Sequence, residues 1–161
     1  MSSKPFSFIT KGDVLEFSQA RIGRVFILRL EQGEVVHEVL ENFAVENNIK
    51  CAAMIMLGAA NEGSKMTVGP KNGYITPIIP FIHQLSGVHE LAGVGTLFPD
   101  EEGHPSLHSH VAAGREEDAI VGCISAGVVV WTILEVILIE LEDCDAKRVH
   151  NSPTGFNLLS P

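Results

Sequence analysis

The chain lacks any run of lysine and arginine; its 11 basic residues are scattered against 20 acidic ones, a formal net charge of −9. Phosphate backbones are bound by clustered positive charge, so this balance opposes nucleic-acid binding by the chain alone. It also lacks a cysteine framework. Cys51, Cys123 and Cys144 are odd in number and irregularly spaced, which argues against structural disulfides. The amino-terminal Met1-Ser2-Ser3-Lys4-Pro5-Phe6 has no long apolar segment of the signal-peptide kind. The apolar stretch Val128 to Leu141 is interrupted by Thr132, Glu135 and Glu140 and is too short to span a bilayer. A soluble protein of the reducing cytoplasm is the expectation, with no membrane partner. Nucleotide signatures are missing as well: Gly93-Val94-Gly95 is not followed by the third glycine of the dinucleotide fingerprint. No Gly-Lys-Ser/Thr phosphate loop occurs, and no serine lies in a nucleophile elbow.

At 161 residues the chain is most simply one domain, long enough to bury roughly 70% of its unfolded surface. It is 45% hydrophobic and only 19% charged, which suggests that part of its apolar surface lies in a subunit interface. Arg24 to Leu30 reads as a strand, broken at Gln32-Gly33. From Glu34 the period changes: Val36, Val39, Leu40, Phe43 and Ala44 recur at helical spacing, and Asn47-Asn48 is the stop.

Lys50 to Ala60 reads as a further strand, followed by loops punctuated at Gly63, Gly69-Pro70 and Asn72-Gly73. Ile75 to Ile82 carries Pro77 and Pro80, so it is an edge strand or irregular. Val88 to Phe98 and Ser106 to Ala112 are strands flanking the acidic turn Pro99 to Gly103. A polar connection, Gly114 to Asp118, leads to a strand around Cys123. The stretch from Val128 to Leu141 is long for one strand and predicts a bulge or bend. Short links favour antiparallel pairing with the helix over one face, an α+β layout. The tail from residue 143 to 161 is expected to be loosely ordered or packed on a neighbour.

The chemistry concentrates in Pro105-Ser106-Leu107-His108-Ser109-His110 and Gly122-Cys123. Strand side chains alternate with period two, so His108 and His110 share a face. Cys123, in the next apolar run, can pair beside them. Two imidazoles and a thiolate form a three-ligand metal site with an open position, suited to Zn²⁺ and admitting Cu or Ni. The same spacing also fits two half-buried histidines and a core cysteine. Were a metal bound, its water would be a potential nucleophile. Glu90 and Glu135, in otherwise apolar strands, are the acid/base candidates, although a solvated or hydrogen-bonded strand face is the simpler account of each. His89 and His104 are candidates for a fourth ligand or a supporting partner. His37 and His83 read as structural, His150 as a tail residue, Cys51 as core and Cys144 as an exposed thiol.

The order of these motifs resembles the PPC (plants and prokaryotes conserved) domain family, formerly DUF296, over residues 8–142. It runs from Gly23-Arg24-Val25-Phe26-Ile27-Leu28-Arg29-Leu30 through Ala53-Met54-Ile55-Met56-Leu57-Gly58-Ala59. It continues with Glu90-Leu91-Ala92-Gly93-Val94-Gly95-Thr96-Leu97, Leu107-His108-Ser109-His110 and Gly122-Cys123-Ile124-Ser125-Ala126-Gly127. The resemblance implies a compact α+β domain with a largely antiparallel sheet, usually trimeric, with histidines ligating metal in some prokaryotic members. His108 and His110 match the family's His-x-His; Cys123 stands where many members have histidine. Plant members add an AT-hook, which this chain lacks. The expected function is a homotrimeric metal- or small-ligand-binding protein. A zinc enzyme with an open coordination position is the alternative, and a DNA-associated regulator the third.

Overall fold

The computed structural model describes residues 15–76 and 78–161. Pro77 and the beginning of the domain expected from residue 8 lie outside them. β1 (Arg21–Glu31) leads into α1 (Val36–Glu46), then β2 (Ala52–Ala60), β3 (Lys65–Pro70) and β4 (Pro80–Gln84). β5 (His89–Pro99), β6 (Pro105–Arg115) and β7 (Asp118–Cys123) follow, then β8 (Val130–Glu142), β9 (Lys147–Asn151) and β10 (Phe156–Ser160). The first eight strands form one sheet in the order β1-β8-β2-β5-β6-β7-β3-β4, with every described pairing antiparallel. β9 and β10 form a separate hairpin. The expected α+β architecture is therefore the observed one.

Alternation within the strands divides the sheet into two faces. Met54 and Met56 of β2, Leu97 of β5, Val111 of β6 and Leu134 and Leu138 of β8 point to one side. There they pack with Val36, Leu40 and Ala44 of α1 in a single core. The helix begins at Val36 rather than Glu34, because Glu34 and Val35 are engaged by the segment before β8. The Val130 N–H donates to Glu34 O (2.9 Å), and the Val36 N–H donates to Val128 O (3.0 Å). It ends as its sequence indicates: Asn48 takes a positive φ of 55°, a left-handed residue of the kind that terminates helices.

Arg24 ties the edge strand to its neighbour and to the helix end. Its guanidinium donates to both carboxylate oxygens of Glu140, at 2.6 and 2.8 Å, and to Asn47 O at 3.0 Å. These hydrogen bonds hold the Glu140 carboxyl below the ordinary glutamate range, against the opposing effect of burial. A depressed folded-state pKa contributes stability above the unfolded value, which is lost as pH falls through the folded one. Glu140→Gln is therefore expected to lower the thermal midpoint at pH 7. The penalty should shrink on acidification, beginning near the ordinary glutamate range of about pH 4 and vanishing only further down, where the folded wild-type carboxylate takes up its proton. A penalty that stays constant with pH would exclude the charge as its source.

The bulge expected in the long strand is present. Against β2, Gly58 pairs with Leu134 but Ala60 with Val130, so β8 carries extra residues, and Thr132 takes φ 61°. Gly58 is required there, since a Cβ would lie 2.5 Å from Ile133 O. β4 is one edge of the sheet, in keeping with Pro80 at its start. Two expectations need correction. Residues 65–70, read as loop, form β3; the strand is short and ends in Gly69-Pro70, which masks its period. The tail, for which a loose arrangement is one expectation, is ordered: it forms the β9–β10 hairpin and packs on its own domain. Ala146 and Cys144 join Cys51, Phe98 and Leu141 in a second cluster on the sheet face away from the helix.

Candidate metal centre

The helix-free face of the sheet carries the candidate ligands. β5 and β6 pair with Thr96 opposite His108 and Val94 opposite His110; β6 and β7 pair with His110 opposite Cys123. The intervening Ser109 points inward, 2% exposed, and its hydroxyl donates to Val94 O (3.0 Å). That bond fixes β6 between the two histidines. Their Nε2 atoms lie 3.2 Å apart with the rings at 82°. The Cys123 thiol donates to Ser125 Oγ at 3.3 Å. The three ligand atoms lie within 4.8 Å of one another.

Tetrahedral Zn²⁺ with ordinary Zn–N and Zn–S bonds holds its ligand atoms about 3.3–3.6 Å apart. The histidine pair, at 3.2 Å, is close to this separation, and rotation of the thiol, which lies within 4.8 Å, would complete the set. Partial burial, the Arg148 charge and the His110 ring together hold the His108 pKa below its ordinary value. The neutral imidazole, the form that binds metal, is thereby favoured. The donor set fits a transition metal of the zinc type.

The other sequence candidates are not brought here. Glu90 lies four residues from Val94 along β5, about 13 Å from the row that holds His110. Glu90 and Glu135 instead line a shallow concavity of about 540 Å³ with Leu57, Ala92 and Ala112. His104 faces Asp100 and Glu102 in its turn, and His89 Nδ1 contacts Gly87 O. Cys51 is buried, which, with Cys144 beside it, pushes its thiol pKa up to about 12. Cys144 is half-buried rather than exposed. His37 lies on α1 with a buried Nδ1 that has no partner among the described residues, and His83 pairs with Met66 on the β3–β4 edge. His150 Nδ1 lies 3.4 Å from Asn157 Oδ1 in the tail hairpin.

Sequence reasoning missed Thr96 and Arg148, which stand beside the cluster. Arg148 donates from Nη2 to Thr96 Oγ1 (2.9 Å) and lies over the Phe98 ring. Neither residue carries a local signal: an arginine in a polar tail and a threonine in a strand are ordinary occurrences.

Fold and site together define an α+β domain with a three-donor His/His/Cys cluster on the open face of its sheet. The chain belongs to the family of the Plants and Prokaryotes Conserved (PCC) domain, whose model matches residues 17–142. Solved structures share the fold. A PPC protein from Pyrococcus horikoshii is 23% identical, with 91% of this chain and 98% of that one covered and a TM-score of 0.75. A metal-containing protein from Archaeoglobus fulgidus is 20% identical, with 89% and 98% covered and a TM-score of 0.77. A Ralstonia eutropha JMP134 protein described as "Putative DNA-binding protein" is 20% identical, with 84% and 90% covered and a TM-score of 0.64. No curated protein matches the chain in sequence. Among the described residues no helix is long and apolar enough to cross a membrane.

Proposed function

We propose that this chain is a non-catalytic, homotrimeric metal-binding protein whose His108, His110 and Cys123 hold Zn²⁺ and leave one coordination position for a small ligand. The observation that carries the reading is the convergence of three donor atoms within 4.8 Å on one sheet face. The metal-containing relative from Archaeoglobus fulgidus supports it. Self-association is supported by the same face. Ile27, Ile137, Ile55 and Val94 lie in one cross-strand row that continues into His110 and Cys123. All four of these apolar side chains are exposed in the single chain. A contiguous apolar face of this kind marks an interaction surface.

The zinc-enzyme reading ranks second because Glu90 and Glu135, its acid/base candidates, stand away from the cluster. DNA association ranks third on a net charge of −9; it predicts affinity that falls steeply with salt.

The test is elemental analysis of untagged protein, with His108→Ala as control. About one zinc per chain is expected in the wild type, with affinity lowered at least about a hundredfold in the variant, beyond the usual effect of disturbing a ligand's supporting partner. No metal in either protein after zinc is added back would sink the reading.

A further inference from the structure

Arg148 is 6% exposed, and Nη2 to Thr96 Oγ1 is its side-chain hydrogen bond among the described residues. Its Nε is buried and has no hydrogen-bond partner among the described residues. The remaining neighbours that address its charge are the Phe98 ring, 5.5 Å from the guanidinium carbon, and Cys123, whose thiolate form attracts it and is shared with the metal position. No carboxylate pairs with it among the described residues. Glu101, which reaches this hairpin, is occupied by the His150 N–H (3.2 Å).

A guanidinium does not discharge at any ordinary pH, and burying one without a counter-ion is strongly unfavourable. A threonine hydroxyl and an aromatic face offset only part of that. The position of the charge is informative: Thr96, which holds it, is the direct cross-strand partner of His108. The hairpin that supplies Arg148 thus sets a fixed positive charge beside the candidate ligands, with hydrogen-bonding capacity left over. A divalent metal on two neutral imidazoles and one thiolate keeps one positive charge, and the guanidinium adds a second. Both charges remain to be neutralised, in a chain that is otherwise strongly acidic.

We propose that Arg148 and the metal position at His108, His110 and Cys123 form a joint binding site for a small oxyanion, a carboxylate or phosphate, which is the ligand that completes the metal's coordination. The proposal rests on the metal reading above and assigns the chemistry of its open position. Arginine suits the role because its planar fork presents parallel donors to such oxygens. Residue 148 lies on the β9 strand of the terminal hairpin, beyond the 17–142 segment that matches the family.

The experiment uses cobalt(II)-loaded protein, whose visible absorption reports changes at the metal. Wild type, Arg148→Met and Arg148→Lys are titrated with acetate and with inorganic phosphate at constant ionic strength, and metal content is measured on the same samples. The expected result is a saturable shift of the wild-type spectrum by at least one of the two anions. The anion that acts identifies the oxyanion as carboxylate or phosphate. Arg148→Met should bind that anion at least tenfold more weakly with metal content unchanged. Arg148→Lys, which keeps the charge but not the fork, should fall between them, and carries the test if the methionine variant fails to fold.

Wild-type protein that takes up metal but responds to neither anion would overturn this proposal and leave the metal reading standing. So would equal anion affinity in wild type and the variants. Protein that takes up no metal overturns both.

Discussion

Ile55→Asp combined with Val94→Asp is expected to convert the protein from a species of three times 17.4 kDa to a single 17.4 kDa chain in sedimentation equilibrium. Both side chains stand on the open sheet face, 54% and 63% exposed, directly opposite each other across β2 and β5. In the single chain an aspartate there is solvated and costs little. In an assembly that covers this face, each carboxylate loses its water without gaining a partner, at several kcal/mol apiece. That cost is repeated in every subunit, so it exceeds what an interface of ordinary size can absorb. Folding itself should survive, because the core lies on the other face. Wild type and variant sedimenting alike would show that the apolar row is not the interface. A monomeric wild type would remove the trimer and leave the metal chemistry to stand alone.

The second large effect concerns the opposite face. Leu40→Ala should destabilise the fold by about 2–5 kcal/mol, the range for buried leucines whose surroundings relax only partly. Leu40 is fully buried at 0% exposure in the layer between α1 and the sheet. For a chain of this length the thermal midpoint should fall by roughly 5–15 °C in calorimetry. Metal content should be unaffected below the new midpoint, since the candidate ligands point away from the helix. A variant that keeps its midpoint would mean that the helix is not seated as described. One that folds but loses metal would mean that the two faces are coupled through Ser109 and the strand that bears it.

Much of the site was legible because strand periodicity is local. His108 and His110 had to share a face once their segment was read as extended. Cys123 could be matched with them because β6 and β7 form a hairpin. Its turn at Glu116 and Glu117, with Arg115 opposite Asp118, sets a register that puts His110 opposite Cys123. The helix was legible for a similar reason, its apolar residues recurring at 3.6. Its first turn was misplaced because hydrogen bonds at Glu34 O and the Val36 N–H, from a segment almost a hundred residues away, hold Val35 extended in a bridge with Val129. β3 was missed because a short strand ending in Gly-Pro resembles a loop.

By itself, then, the sequence determined the class of the fold, the open-face pairing of two histidines and the chemical type of the donor set. These follow from side-chain alternation and hydrophobic period, which covalent geometry imposes within a few residues. Only the tertiary structure decided that Glu90 and Glu135 stand apart from the candidate ligands and that the tail returns over the sheet. It also brought Arg148 to Thr96 from 52 positions away. Those outcomes depend on strand order, and on which buried surface the last residues find. Both are settled by the packing of the whole chain, because no local preference of an arginine or a glutamate records what lies across the sheet from it.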